Sequence, residues 1–212
     1  HSIFEQQRVN IISPITPRPL LYYHRYNIAN HQIAQRELSQ KGLRDILTRR
    51  VKKYVFTLSD EERAECEAEA LGFVDKVIED VVSKGWVNDT RYAEVKASSW
   101  RNRGWGRRKI EMELQKKGIG SDIADVVLRN VDLDNVDIEE DTVRNIEADA
   151  LAAETLARRR KLGPFRTKPA PSDYAEKQKL WRREAGVLAR AGFGMDIIHD
   201  ILSRPPEDEQ DF

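Results

Sequence analysis

From about Leu20 onward, apolar residues return every three or four positions, and no segment shows the strict alternation of a half-buried strand. This pattern predicts an all-α protein. Its clearest helix opens at Ser59, placed to cap while Glu62 reaches back in a capping box, and runs through Ala70, Phe73, Val74, Val77, Ile78, Val81 and Val82 to a stop at Gly85. A second begins after Trp86, with Asn88 or Asp89 as its cap and Ala93, Ala97 and Trp100 facing one way. The break Gly104-Trp105-Gly106 separates it from a helix over Arg107 to Lys117, where Ile110 and Leu114 share a face and Gly118 ends the run. Ser121 is expected to cap a short third helix through Ile123, Val126 and Val127. An acidic connector follows, with Asp132, Asp134, Asp137, Glu139, Glu140 and Asp141.

The three-helix pattern recurs. A shift of 74 positions lays Leu114, Gly118, Gly120, Asp122, Ile123, Val127 and Leu128 on Leu188, Gly192, Gly194, Asp196, Ile197, Ile201 and Leu202. A third repeat then uses helices around Val143 to Lys161, Ala175 to Ala191 and Asp196 to Leu202, with Gly163-Pro164 and Pro169-Ala170-Pro171 breaking the first two. A looser first repeat has helices near Tyr22 to Glu37 and Leu43 to Tyr54 before the long capped one. The expected divisions are an extended or disordered arm over 1–19, repeats at 20–87, 88–131 and 142–203, the connector at 132–141 and an acidic tail at 204–212. Units that touch only their neighbours make an elongated modular body of three tandem three-helix, helix-turn-helix-like repeats.

Charge narrows the chemistry. Lys and Arg together number 36, as do Asp and Glu, so attraction to an anionic partner has to come from local clusters. Each repeat carries one: Arg49, Arg50, Lys52 and Lys53 in the first; Arg101, Arg103, Arg107, Arg108 and Lys109 in the second; Arg158, Arg159, Arg160 and Lys161 in the third, with Arg182 and Arg183 nearby. Such clusters suit carboxylates or phosphates, and they equally serve helix ends and solvation. Trp105, between two glycines and beside Arg103 and Arg107, either offers a stacking platform or folds back onto its own core. Trp86, Tyr92, Trp100 and Trp181 are assigned to packing.

No catalytic residue, cofactor or metal site is assigned. The four histidines are scattered without metal-ligand spacing, neither a glycine-rich phosphate loop nor a nucleophile with an identifiable base stands out, and the acidic connector lacks the glycine and terminal Glu of a calcium loop. A single cysteine, Cys66, allows no intramolecular disulfide and fits a reducing cytosol. With no membrane-length apolar run and no signal-peptide order at the start, a soluble, cytoplasmic, monomeric, non-enzymatic protein is expected.

Beyond periodicity, the order of several motifs resembles the RecX family. Gly85-Trp86-Val87-Asn88-Asp89-Thr90-Arg91-Tyr92-Ala93 is similar to the opening of that family's second repeat. Arg103-Gly104, Arg108, Ile110 and then Leu114 with Lys116-Lys117-Gly118-Ile119 continue it, and Leu47-Thr48-Arg49-Arg50-Val51 resembles its first-repeat segment. Ala157-Arg158-Arg159-Arg160-Lys161-Leu162-Gly163-Pro164-Phe165-Arg166 and Leu188-Ala189-Arg190-Ala191-Gly192-Phe193 are similar to its proteobacterial branch. The resemblance implies a curved protein that lies along a RecA filament on single-stranded DNA, inhibits recombinase and coprotease activity, and moderates DNA repair, recombination and the SOS response. It makes Arg49, Arg50, Arg101, Arg103, Trp105, Arg107, Arg108, Lys109, Arg158, Arg159, Arg160 and Lys161 candidates for filament or phosphate contact, with a possible weak contact to single-stranded DNA. The competing readings are a helical regulator that binds DNA directly, disfavoured by third helices that are acidic or apolar, and a helical scaffold for some other partner.

Overall fold

A computed structural model of the protein describes residues 18–133 and 141–205. The expected connector between 134 and 140 and most of the N-terminal arm and acidic tail lie outside the described residues, as do the side chains of the Ser59–Glu62 capping box beyond Ser59. The described elements are helical: α1 (Arg18–Gln35), α2 (Gln40–Val55), α3 (Asp60–Ser83), α4 (Asp89–Arg101), α5 (Arg107–Lys116), α6 (Ser121–Leu133), α7 (Asp141–Arg160), a 3-10 turn (Gly163–Phe165), α8 (Tyr174–Arg190) and α9 (Met195–Ser203). Taken in threes, these are the tandem repeats, and the chain divides into two compact units, residues 1–89 and 90–212. The first repeat forms the first unit; the second and third form the other.

Each repeat has its own core. Leu43, Leu47, Val51, Val74, Val77 and Val81 fill the first, where α3 packs on α1 and α2. Ala93, Ala97, Ile110, Leu114, Val127 and Leu128 fill the second. Ala153, Ala157, Leu188, Ile198 and Ile201 fill the third. The spacing of each set matches one helix face, so burying that face rather than intrinsic propensity holds these short helices in place.

The offset of 74 reappears in the backbone. Gly118 and Gly192 adopt positive φ, 82° and 96°, and each is followed by an amide that reaches back to close the helix: Ile119 N–H donates to Leu114 at 3.1 Å and Phe193 N–H to Leu188 at 3.4 Å. The next helix then starts in the same way in both repeats, the Gly120 carbonyl accepting from Ala124 and the Gly194 carbonyl from Ile198, both at 3.0 Å. Ser121 is therefore the first residue inside α6, and Gly120, not Ser121, occupies the cap position.

Three boundaries differ from expectation. α1 begins at Arg18 and takes in Pro19, because a proline in the first helical turn forfeits no intrahelical hydrogen bond. α6 continues to Leu133, so Asp132 belongs to a helix rather than to the connector, and α7 begins at Asp141. Trp86 is not a packing residue of the expected kind: the turn at Gly85 (φ 68°) leaves it 44% exposed, 6.1 Å from the Tyr26 ring, with the Lys84 ammonium 5.1 Å from both ring centroids.

Candidate partner-binding surface

The basic clusters are sorted by burial. On α2, Leu43, Leu47 and Val51 face the core, which leaves Arg49, Arg50, Lys52 and Lys53 exposed on the opposite side. In the second repeat, Arg103 and Arg108 are exposed, and Lys109 is half-buried with its ammonium 4.1 Å from the Trp105 ring centroid. Trp105 stacks on Trp100 at 5.2 Å with the planes 12° apart, so one face of its indole is already occupied by the protein's own core aromatic.

Arg101 is an interior residue. It is 5% exposed; Nε and Nη2 hold the two oxygens of Asp132 at 2.9 and 3.0 Å, and Nη1 donates to the Trp105 carbonyl at 3.1 Å and to Asp149. Burial works against its charge, but hydrogen bonding and attraction from Asp132 and Asp149 outweigh that and raise its pKa still further. The contact role expected for Arg101 has no accessible guanidinium to perform it, and the side chain joins α4 to α6 and α7. Arg107 is drawn partly into the same network: Nε lies 2.8 Å from Glu111, Nη1 donates to Asn145 at 3.1 Å, and Nη2 lies 3.2 Å from Asp125.

At the end of α7, Arg158, Arg159, Arg160 and Lys161 are all exposed. Arg158 is engaged by Glu154 at 3.3 Å and sits 4.4 Å from the Phe165 centroid. Arg158 and Arg159 also line a shallow groove of about 370 Å³ with Leu151, Glu154 and Thr155. Lys161 takes the left-handed conformation at φ 55°, a position usually given to glycine. The following turn is fixed by Glu184, 3% exposed, which accepts from Gly163 N–H at 3.1 Å and from Arg166 Nε at 2.8 Å.

The sequence reading passed over most of α8. Lys179, Arg182, Arg183 and Arg190 are all exposed, while Glu184, Ala185 and Leu188 are buried. Helical spacing carried the signal, since Lys179, Arg183 and Arg190 fall three or four residues from one another or from Gly186 on a single face. Among the described residues, no three His, Cys, Asp or Glu side chains form a metal-sized group, and no helix is long and apolar enough to cross a membrane.

Comparison with known proteins follows the same architecture. The family model for the second three-helix domain of RecX matches residues 88–128, the stretch running from the start of α4 into α6. The regulatory protein RecX of Myxococcus xanthus (strain DK1622) is 30% identical over 193 residues, covering 91% of this chain and 91% of its own. That of Agrobacterium fabrum (strain C58) is 26% identical over 185 residues, covering 87% and 85%. A solved structure described as that of regulatory protein RecX superposes with a TM-score of 0.51 at 19% identity, covering 87% of this chain and 72% of the other, and so shares the fold. Near-complete coverage of the Myxococcus relative, together with the repeat-by-repeat fold, shows that the chain belongs to the RecX family of regulatory proteins.

Proposed function

We propose that this chain binds the RecA recombinase and its filament on single-stranded DNA, inhibiting recombinase and coprotease activity and so moderating DNA repair, recombination and the SOS response. It acts in the cytoplasm, as a monomer and without catalysis of its own. The observation that carries this reading is that each repeat of this chain, a member of a regulatory-protein family, exposes a basic group: Arg49 and Arg50, then Arg103 and Arg108 with the half-buried Lys109 beside them, then Arg159 and Arg160. Guanidinium groups on well-packed helices match carboxylates or phosphates repeated along a polymer. Reading of duplex sequence fits less well, because the exposed positions on α6 and α9 are mostly acidic or apolar, among them Asp122, Asp125, Val126, Asp196 and Asp200, with Arg129 and Asn130 the exceptions at the end of α6.

The test is RecA ATP hydrolysis and filament persistence on single-stranded DNA with the chain titrated below stoichiometry, beside its binding to the same DNA alone. Inhibition at concentrations where bare DNA is barely occupied supports filament-directed regulation. Tight, sequence-dependent DNA binding with no effect on RecA replaces it with the direct DNA-binding reading.

A further inference from the structure

We infer that the outer face of α8 is a seat for the phosphodiester backbone of a nucleic acid strand, with Gly186 as the point of closest approach. This goes beyond the filament reading and does not rest on it.

Several cations in the second unit are engaged by the fold, while others, such as Arg103, Arg108, Arg159 and Arg160, stand exposed. Arg101 and Arg107 are held by Asp132, Asp149, Glu111 and Asp125, Arg166 by Glu184, and Arg204 by Glu154 and Asp200. α8 is different. With Glu184, Ala185 and Leu188 turned inward, its outer face carries Lys179, Arg182, Arg183, Gly186 and Arg190 and has no acidic side chain from Lys177 onward. Lys179, Arg183 and Arg190 meet no acidic partner among the described residues, and Arg182 bonds only to the neutral Gln178, at 3.3 Å. At the helical rise, the stripe is about 16 Å long. An array of like charges on one helix face is destabilising by itself, so its natural complement is an anionic polymer lying along it.

Gly186 identifies the polymer. A glycine within a helix costs about 1 kcal/mol relative to alanine, and no packing requirement explains this one. A Cβ there would meet only the Arg190 guanidinium, with Nη1 at 3.3 Å, the far end of a flexible side chain. The missing side chain lets the Arg190 guanidinium lie against the helix at Gly186, close to where Arg182 and Arg183 emerge, so a phosphate there meets it at the helix surface. The stripe carries no aliphatic anchor for a protein partner: Trp181 and Val187 are half-buried beside it and Ala189 is exposed, while the exposed Tyr174, whose hydroxyl meets Gln178 one turn before Arg182, presents a ring on which a base can stack. Contact is electrostatic and independent of base sequence, as phosphate recognition is.

The experiment uses the full chain without RecA, so its outcome is separate from that of the filament reading. Binding of a labelled single-stranded oligonucleotide is followed by fluorescence anisotropy across a salt series, with duplex DNA and poly-glutamate as competitors. Arg183→Gln with Arg190→Gln is expected to weaken binding at least tenfold and to reduce the log–log salt slope by about 1.4, since each single-strand phosphate contact contributes about 0.7. Lys41→Glu on α2, whose partner is Asp45, leaves binding within about twofold. Gly186→Leu is expected to raise the melting temperature, because leucine is a strong helix former, while weakening binding several-fold. A merely structural role does not move those two readouts in opposite senses. The proposal is overturned if wild type fails to bind at low salt, if the double glutamine variant binds within twofold of wild type, or if poly-glutamate displaces the oligonucleotide as well as DNA does. Relative competition by duplex and single strand identifies which nucleic acid the stripe prefers.

Discussion

Asp149, in the middle of α7, accepts the backbone N–H of Arg107 at 2.9 Å and so caps α5 from the following repeat. The residue at the cap position is Gly106, which has no side chain for the task. The same carboxylate also receives Arg101, so one side chain satisfies a helix end and a buried guanidinium. Asp149→Ala is expected to destabilise the second unit by about 2–4 kcal/mol, combining the loss of a cap with that of a buried charge partner. Urea unfolding followed by circular dichroism reads this directly, and a midpoint equal to wild type would refute it.

Arg101 and Asp132 form a bidentate pair at 4% and 0% side-chain exposure. Arg101→Met leaves the buried Asp132 carboxylate with the Arg107 guanidinium alone, 3.5 Å away, and is expected to cost about 3 kcal/mol. Adding Asp132→Leu removes the under-paired buried charge and recovers part of that loss. Double-mutant-cycle denaturation measures the coupling, and additive losses would show that the pair does not act as one.

Lys161 takes φ 55°, and a left-handed conformation costs a residue bearing a Cβ about 1–2 kcal/mol. Lys161→Gly is therefore expected to stabilise the fold by about 1 kcal/mol, less the entropy glycine adds to the unfolded chain. If the residue also meets an anionic partner, the same variant loses affinity while gaining melting temperature, which calorimetry and a binding assay together resolve.

Asp89, the last residue of the first unit, accepts the Gln40 N–H at 2.8 Å and so caps α2. Burial raises its pKa, and the bond from Gln40 only partly offsets this. The folded state thus holds the proton more tightly than the unfolded chain, so this residue's contribution is fully present below the unfolded value of 3.8 and is lost as pH rises through the raised folded value. Asp89→Asn keeps an oxygen acceptor without the charge. Its stability relative to wild type should climb across that window and level off above it, and a flat difference in denaturation from pH 3 to pH 7, roughly the carboxylate range, would contradict the assignment.

Arg103 and Arg108 are exposed, whereas Arg101 between the same helices is not. On the proposed filament-directed function, Arg103→Glu with Arg108→Glu is expected to raise the concentration for half-inhibition of RecA ATPase about tenfold, consistent with losing one or two charged hydrogen bonds, at unchanged melting temperature. Unaltered inhibition would remove this cluster from the interface.

The repeat, its turn glycines and its core faces were legible because each is written in short-range spacing: Gly118 and Gly192, or Leu114 and Leu188, announce themselves by offset alone. The inward role of Arg101 was not, since it stands among Arg103, Arg107 and Arg108 and looks like one more surface cation. The clue was periodic: Ala93, Ala97 and Arg101 are four residues apart, placing the arginine on the apolar face. Asp132 likewise follows Leu128 by four, but the acidic run after it drew it into the connector. What no spacing reveals is Asp149 as the shared partner, because that contact joins residues forty or more positions apart and exists only once α7 lies across α4 and α5.

Gly104, Gly106 and Gly192 make the second and third repeats unequal to a pair of beads. A Cβ on Gly104 would fall 2.7 Å from the Ala152 carbonyl, one on Gly192 would fall 2.7 Å from the Lys109 nitrogen, and Gly106 N–H donates to the Ala191 carbonyl at 2.8 Å. Main chain meets main chain at all three places, so neither repeat has a finished surface of its own there. A gene fragment cut between them would encode two pieces each missing its lining, and a duplication that copied just one would deliver an unmatched face. In this protein the second and third repeats are one compact unit, not two.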